Sequence, residues 1–271
     1  MKKIVIEEFC PEHFMQKIEG RNYGKIEKIE YFSSTCNKTR PANVLLPNNY
    51  TEKTKYPVLY IFHGIFGTQF SMLEDNENCN QKKIINLIEE NLSKSMIVVF
   101  PYLFASKTKE KCDGFTEENI NAYNNFLNDL TVDLMPFIEK KYSAKTGAKN
   151  TAIIGFSLGG REALATGIKF GKKFSYIGAI APAPGLLPCK DAKMQHIGQF
   201  ESEEKIIFDK DLELLMLCSG DSDKVVLDFP LKYHEVLEKN KQPHYWYLVS
   251  GSDHSNPAIA SGIYNFCKNI F

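Results

Sequence analysis

The chain has 271 residues, 43% of them hydrophobic and 24% charged, an ordinary globular composition with enough length for a substantial core. Thirty-three Lys and Arg balance thirty-three Asp and Glu, so no long-range field favours nucleic acid or an anionic membrane, and an uncharged small substrate suits the chain better. No apolar run approaches the roughly 18 residues of a membrane span, and the opening "MKKIVIEEFCPEHF" brings Glu7 and Glu8 too soon for a signal-peptide core, so a soluble, cytoplasmic protein is expected, with a secreted one whose export signal has been removed as the alternative.

Taken in chain order, "KIEKIEYFSS" (25–34) and "RPANVLLP" (40–47) predict two strands joined by the polar "TCNKT", an antiparallel start. After the turn-rich 48–55, "YPVLYIFHG" (56–64) predicts a strand buried on both faces. Strand and helix then alternate. Helical 81–92 precedes strand 95–101, helical 122–142 precedes strand 150–157, and helical 159–170 precedes strand 176–183. Strand 212–220, helix 229–240, strand 244–251 and helix 257–271 complete the series. Such alternation predicts an α/β fold, a mostly parallel sheet covered by helices on both faces. No repeat or linker divides it, so residues 25–271 read as one domain preceded by an N-terminal extension, 1–24. Two stretches break the rhythm, 102–119 and 182–210. Both follow strand ends, where open α/β sheets bind ligands, and loops of this length are often functional.

Seven cysteines (Cys10, Cys36, Cys79, Cys112, Cys189, Cys218, Cys267) are odd in number and form no C-x-x-C pair. Neither a disulfide framework nor a zinc site is expected, and the thiols read as reduced and mostly buried.

"GFSLG" (155–159) matches the G-x-S-x-G nucleophile elbow, with an apolar strand before it and a helix after it. A serine hydroxyl is a poor nucleophile, so Ser157 needs a base, an acid and an oxyanion site from elsewhere in the chain. Side chains at Gly155 and Gly159 would collide with the neighbouring strand and helix of such a turn. "CSGDSDKVV" closes a later strand and offers two carboxylates, Asp221 and Asp223. "VSGSDHSNP" places His254 after the final strand, giving the chain order nucleophile, acid, base. His13, His196, His234 and His244 lack such placement and read as surface or packing residues. "IFHGIFG" (61–67) ends the first buried strand, where the oxyanion site takes a backbone donor. The expected donors are the amides of Ile65 and Leu158, with His63 holding that loop.

These motifs, with "MPFIEKKYS" and "FSYIGAIAPAPG", resemble carbohydrate esterase family 1, the feruloyl and acetyl xylan esterases of the α/β-hydrolase superfamily, which also resembles esterase D and the mycolyltransferases. The likeness covers nearly everything beyond residue 24. It implies the α/β-hydrolase fold, with antiparallel N-terminal strands on a mostly parallel sheet, and a triad of Ser157, Asp223 and His254. Spacing also prefers Asp223, because two residues after Gly220 give the loop room to turn its carboxylate inward, while Asp221 sits where it would cap the turn.

The expected activity is therefore a serine carboxylesterase working through an acyl-enzyme, with no cofactor and no metal; the acidic "EDNENCN" (74–80) lacks the glycine and terminal Glu of a calcium loop. Phe66, Tyr102, Phe104, Phe115 and Phe200, with Tyr123 nearby, offer aromatic faces to a planar acyl group. Together with the resemblance they favour a hydroxycinnamoyl ester of a plant cell-wall saccharide as substrate. An acetyl or other short-acyl carbohydrate esterase, an S-formylglutathione hydrolase-like esterase, an acyltransferase and a non-catalytic binding protein on a hydrolase scaffold are the alternatives.

Overall fold

The computed structural model describes residues 4–73 and 80–271, so most of the acidic stretch 74–80, and Cys79 with it, lies outside the described residues. Eight strands form the main sheet in the order β1-β2-β4-β3-β5-β6-β9-β10. They are β1 (Lys25–Ser33), β2 (Lys38–Leu46), β3 (Val58–Phe62), β4 (Ile97–Pro101), β5 (Thr151–Phe156), β6 (Tyr176–Ile180), β9 (Leu214–Gly220) and β10 (Tyr245–Val249). The first two pair antiparallel and β2 meets β4 antiparallel, whereas the pairings from β4 to β10 are all parallel. This is the α/β-hydrolase fold.

The central strands are apolar on both sides because both faces of the sheet are covered. On β3, Val58, Tyr60 and Phe62 enter the core beneath α3 (Glu117–Asn128), α4 (Met135–Lys141), α5 (Leu158–Lys169) and α6 (Phe229–Lys239). Leu59 and Ile61 alternate to the opposite core, against α2 (Asn80–Glu89) and α7 (Asn256–Asn269).

The long helix expected over 122–142 begins earlier and is interrupted. Thr116 caps it, its hydroxyl accepting the Asn119 amide, so "TEEN" belongs to the helix and the preceding loop is shorter than its polarity implied. A π-helical turn, Asp129–Leu134, then separates α3 from α4. It carries the buried Asp129, whose Oδ2 accepts Tyr31 Oη at 2.5 Å and Arg40 Nε at 3.1 Å.

The leading residues are built onto the same body. A short helix, α1 (Glu12–Met15), buries Phe14 beside Tyr264 of α7, with ring centroids 5.3 Å apart. Asn265 binds both main-chain groups of Glu7, accepting its amide at 2.9 Å and donating to its carbonyl at 2.7 Å. From α2, Asn86 Nδ2 donates to the Phe14 and Gln16 carbonyls, each at 3.0 Å. Residues 4–24 thus roof α2 and α7 instead of trailing away from the domain.

The 182–210 stretch contains a small hairpin, β7 (Cys189–Lys190) and β8 (Gln195–His196). Six cysteines are free among the described residues. No described helix is long and apolar enough to cross a membrane.

Candidate active site

The elbow is a steric solution. Ser157 has φ 56° and ψ −121°, a left-handed conformation that lifts its side chain out of the strand-to-helix path. Its amide donates to Ile180 O at 2.9 Å and its carbonyl accepts the amides of Ala183 (3.0 Å) and Arg161 (3.1 Å), so the strained turn is held from both sides. A Cβ on Gly155 would lie 2.2 Å from Gly159 O, and one on Gly159 would lie 2.5 Å from His63 O. The two glycines let α5 start against the ends of β5 and β3.

His254 Nε2 lies 2.9 Å from Ser157 Oγ, and His254 Nδ1 lies 2.6 Å from Asp223 Oδ2. The other Asp223 oxygen accepts the amides of Val225 (2.8 Å) and Val226 (3.1 Å). Burial pushes the Asp223 carboxyl up, but the hydrogen bond and charge of His254 and those two amides outweigh it and leave the pKa below its ordinary value. An ionised Asp223 requires the hydrogen on His254 Nδ1, which leaves Nε2 facing the serine. Phe156 packs against the imidazole with centroids 4.5 Å apart. The acid and base loops approach closely at Gly220, where a Cβ would lie 2.1 Å from Ser252 O. Asp221 is exposed and accepts the Gly251 amide at 2.8 Å, tying these two loops together away from the imidazole.

The loop after β3 is held from behind. Gly64 O can only accept, so His63 Nδ1, 2.7 Å away, carries the hydrogen, and Nε2 accepts the Leu103 amide at 3.0 Å. Both bonds need a neutral ring, and burial pushes the His63 pKa down to about 4. Behind Leu103, Arg40 donates to the carbonyls of Tyr102 and Phe104 (the latter at 2.7 Å) while paired to Asp129. Arg40 therefore holds the loop that holds His63. Sequence reading missed it, because its partner Asp129 is 89 positions away. The Phe66 amide donates to Tyr123 Oη at 3.1 Å and that of Gly67 to Gly64 O at 3.1 Å. Just ahead of these two, the Ile65 amide finds no acceptor among the described residues. Leu158 opens α5, where a helix leaves its amide unpaired.

A narrow cleft of about 50 Å³ runs from Ser157 past Ile65 and Leu158 to Phe115, Arg161, Lys193, His196 and Val225. Of the expected aromatic faces, Phe115 lines it. Phe66, at φ 62° and half exposed, packs edge-on against Phe115 with centroids 5.2 Å apart. Phe104 corrects the sequence expectation: it is 1% exposed, packed edge-on to Tyr123 in the core, and presents no face to a ligand. Tyr123 is buried as well, and only its hydroxyl serves the loop. Tyr102 and Phe200 also depart from expectation, lying outside the cleft lining, because Tyr102 stacks on His63 and Phe200 lies under Lys169.

Other lining residues had no sequence signal. His196, expected at the surface or in packing, is buried on the cleft wall with Nε2 3.1 Å from Asp191 Oδ2. Lys193 Nζ sits 4.0 Å from the centroid of the Phe115 ring. Asp191 shapes the hairpin by accepting the amides of Lys193 (2.8 Å) and Met194 (2.7 Å). Arg161 is locked behind the cleft by Glu162 and by Asn124 Oδ1 at 2.8 Å.

Residues 33–262 match the model of the Esterase family, most of the chain. The protein belongs to this esterase family. A CE1 ferulic acid esterase from Anaeromyces mucronatus, solved in complex with ferulic acid, is 38% identical and superposes with a TM-score of 0.95, covering 99% of this chain and 98% of that one. The same enzyme in the absence of substrate superposes with a TM-score of 0.92. These matches agree with the carbohydrate esterase family 1 resemblance carried by the motifs. The endo-1,4-beta-xylanase/feruloyl esterase of Xylanibacter ruminicola is 30% identical over 166 residues, 59% of this chain and 22% of that protein. The esterase chain thus aligns with about a fifth of that relative's length.

Proposed function

We propose that this esterase hydrolyses hydroxycinnamoyl esters, feruloyl esters of plant cell-wall saccharides above all, by a serine acyl-enzyme route. The reading is carried by one observation: Ser157 Oγ, at 2.9 Å from His254 Nε2, opens directly onto a cleft lined by Phe115. As Ser157 Oγ attacks the ester carbonyl, His254 Nε2 takes its proton, and Asp223 holds the Nδ1 hydrogen and stabilises the imidazolium. The amides of Ile65 and Leu158 receive the oxyanion. As the carbonyl carbon–oxygen bond breaks, His254 gives the proton to the departing sugar oxygen, which leaves as the alcohol, and water attacks the acyl-enzyme by the same exchange, releasing the acid and Ser157.

Support for the acyl group comes from the Anaeromyces enzyme, which is 38% identical along nearly its whole length and whose structure holds ferulic acid. At about 50 Å³ the cleft is smaller than the roughly 300 Å³ at which sites for drug-sized ligands begin, so a phenyl ring calls for some opening of its lining. The same narrowness favours a second reading, a short-acyl carbohydrate esterase, since an acetyl group needs no such movement. Comparing kcat/KM for methyl ferulate and an acetylated xylo-oligosaccharide decides between them. Preference for the ferulate is expected; a clear preference for the acetyl ester would overturn the feruloyl assignment and leave the serine mechanism standing.

A further inference from the structure

At the end of α6 and in the turn that follows it, three metal-binding side chains converge. His234 and Glu238 stand one turn apart on α6, and the chain reverses after Asn240, through Lys241 at φ 54°, to bring His244 back beside them just before β10. His234 Nδ1 lies 2.7 Å from His244 Nε2, and Glu238 Oε1 lies 3.9 Å from the same nitrogen. One ligand atom from each residue lies within 4.8 Å of the others. The His244 side chain is 1% exposed while that of Glu238 is 67% exposed, so the cluster is walled on one side and open on the carboxylate's.

The rings are held in a ligating orientation. Gln242 O, 2.7 Å from His244 Nδ1, can only accept, so Nδ1 carries the hydrogen and Nε2 turns its lone pair into the cluster. Trp246 stacks on His234, with ring centroids 5.4 Å apart and planes 13° from parallel.

We propose that His234, Glu238 and His244 bind one Zn²⁺ ion, with water as the fourth ligand. Two imidazole nitrogens and one carboxylate form a donor set for zinc, whereas Ca²⁺ and Mg²⁺ ask for oxygen throughout. Tetrahedral zinc with bonds of about 2.0–2.1 Å sets its nitrogens about 3.3 Å apart. The histidine pair would open by roughly 0.6 Å, and the exposed Glu238 side chain is free to swing inward. On binding, His234 Nδ1 gives its lone pair to zinc and the ring hydrogen sits on Nε2, so a neutral ring loses no net proton. None of the three residues lines the catalytic cleft. The ion clamps α6 to the edge strand β10, the span of chain between Asp223 and His254.

Trp246 is the one tryptophan of the chain, so its fluorescence reports this site alone. The untagged, chelator-stripped protein is titrated with Co²⁺, a paramagnetic substitute for zinc, and then with Zn²⁺. Saturable quenching complete at one equivalent, reversed by Zn²⁺ and absent with Mg²⁺, is expected. Glu238→Gln, at an exposed position, should weaken zinc binding about tenfold or more, and His234→Asn at least as much. At a fixed zinc concentration the unfolding midpoint should rise more for the wild-type chain than for either variant. Absence of saturable quenching, or zinc binding as tight in both variants as in the wild type, would overturn the proposal.

Discussion

The triad end of the cleft and its rim are built on different principles. Ser157, Asp223 and His254 follow the ends of β5, β9 and β10; backbone hydrogen bonds hold Ser157 and Asp223, and His254 is fixed between the Asp223 carboxylate and the Phe156 ring on a loop that Gly220 lets approach β9. The rim draws on segments far apart in the chain, with Phe66 and Phe115 in edge contact and Lys193 over the Phe115 ring. Those contacts are single side-chain pairs, each worth about 1 kcal/mol. Chemistry is placed on rigid strand ends, and selection of the acyl group is left to soft contacts that can yield.

That contrast breaks first at the nucleophile. Ser157→Ala is expected to cost on the order of 10⁶ in kcat while leaving the fold intact. Burst kinetics with a chromogenic ester measure it, and a variant retaining a tenth of the wild-type turnover would remove the acyl-enzyme route. Asp223→Asn comes next, at up to about 10⁴ in kcat, because the amide no longer enforces the His254 tautomer. Asp221→Asn serves as its control and should cost under about tenfold, since Asp221 only ties loop to loop. A reversed order would reassign the acid.

Below these effects lies the loop behind the oxyanion site. His63 stays neutral in the folded state down to about pH 4, whereas in the unfolded chain it takes up a proton near 6.5. Unfolding therefore binds a proton between these values, and stability falls as pH is lowered from 6.5 toward 4, by up to about 3 kcal/mol from this residue. Denaturant melts at several pH values should show that slope reduced in His63→Gln; an unchanged slope would mean that the ring is protonated in place. The smallest effects belong to the rim. Phe115→Ala should lower kcat/KM for methyl ferulate by up to about tenfold and leave a short acetyl ester almost untouched. Equal losses on both esters would make Phe115 part of the scaffold and erase the distinction drawn between the two regions.

Much of this was legible because it is local. The alternation of apolar strands with amphipathic helices encodes the layered sheet, and each segment carries its own period. The elbow could be read from "GFSLG" since its sterics involve neighbours within a few residues, apart from the β3 end that Gly159 touches. The carboxylate and imidazole were legible by order, as each closes a predicted strand. The break between α3 and α4 was not, because a π turn changes the hydrogen-bond ladder without changing composition.

What only the tertiary structure decided is which side chains share a space. "YLFA" reads as a loop rich in aromatic faces, yet Phe104 is consumed by the core and Tyr102 by His63. His196 and Lys193 carry no signal of a site until the β7–β8 hairpin sets them in the wall of the cleft that Ser157 opens onto. His234 and His244 look isolated until the turn after α6 brings them edge to edge, with Nδ1 of one 2.7 Å from Nε2 of the other. Periodicity reports which face of an element is apolar, because that depends on the element's own geometry; the partner across a loop is chosen by the closing of the whole chain, and no local pattern records it.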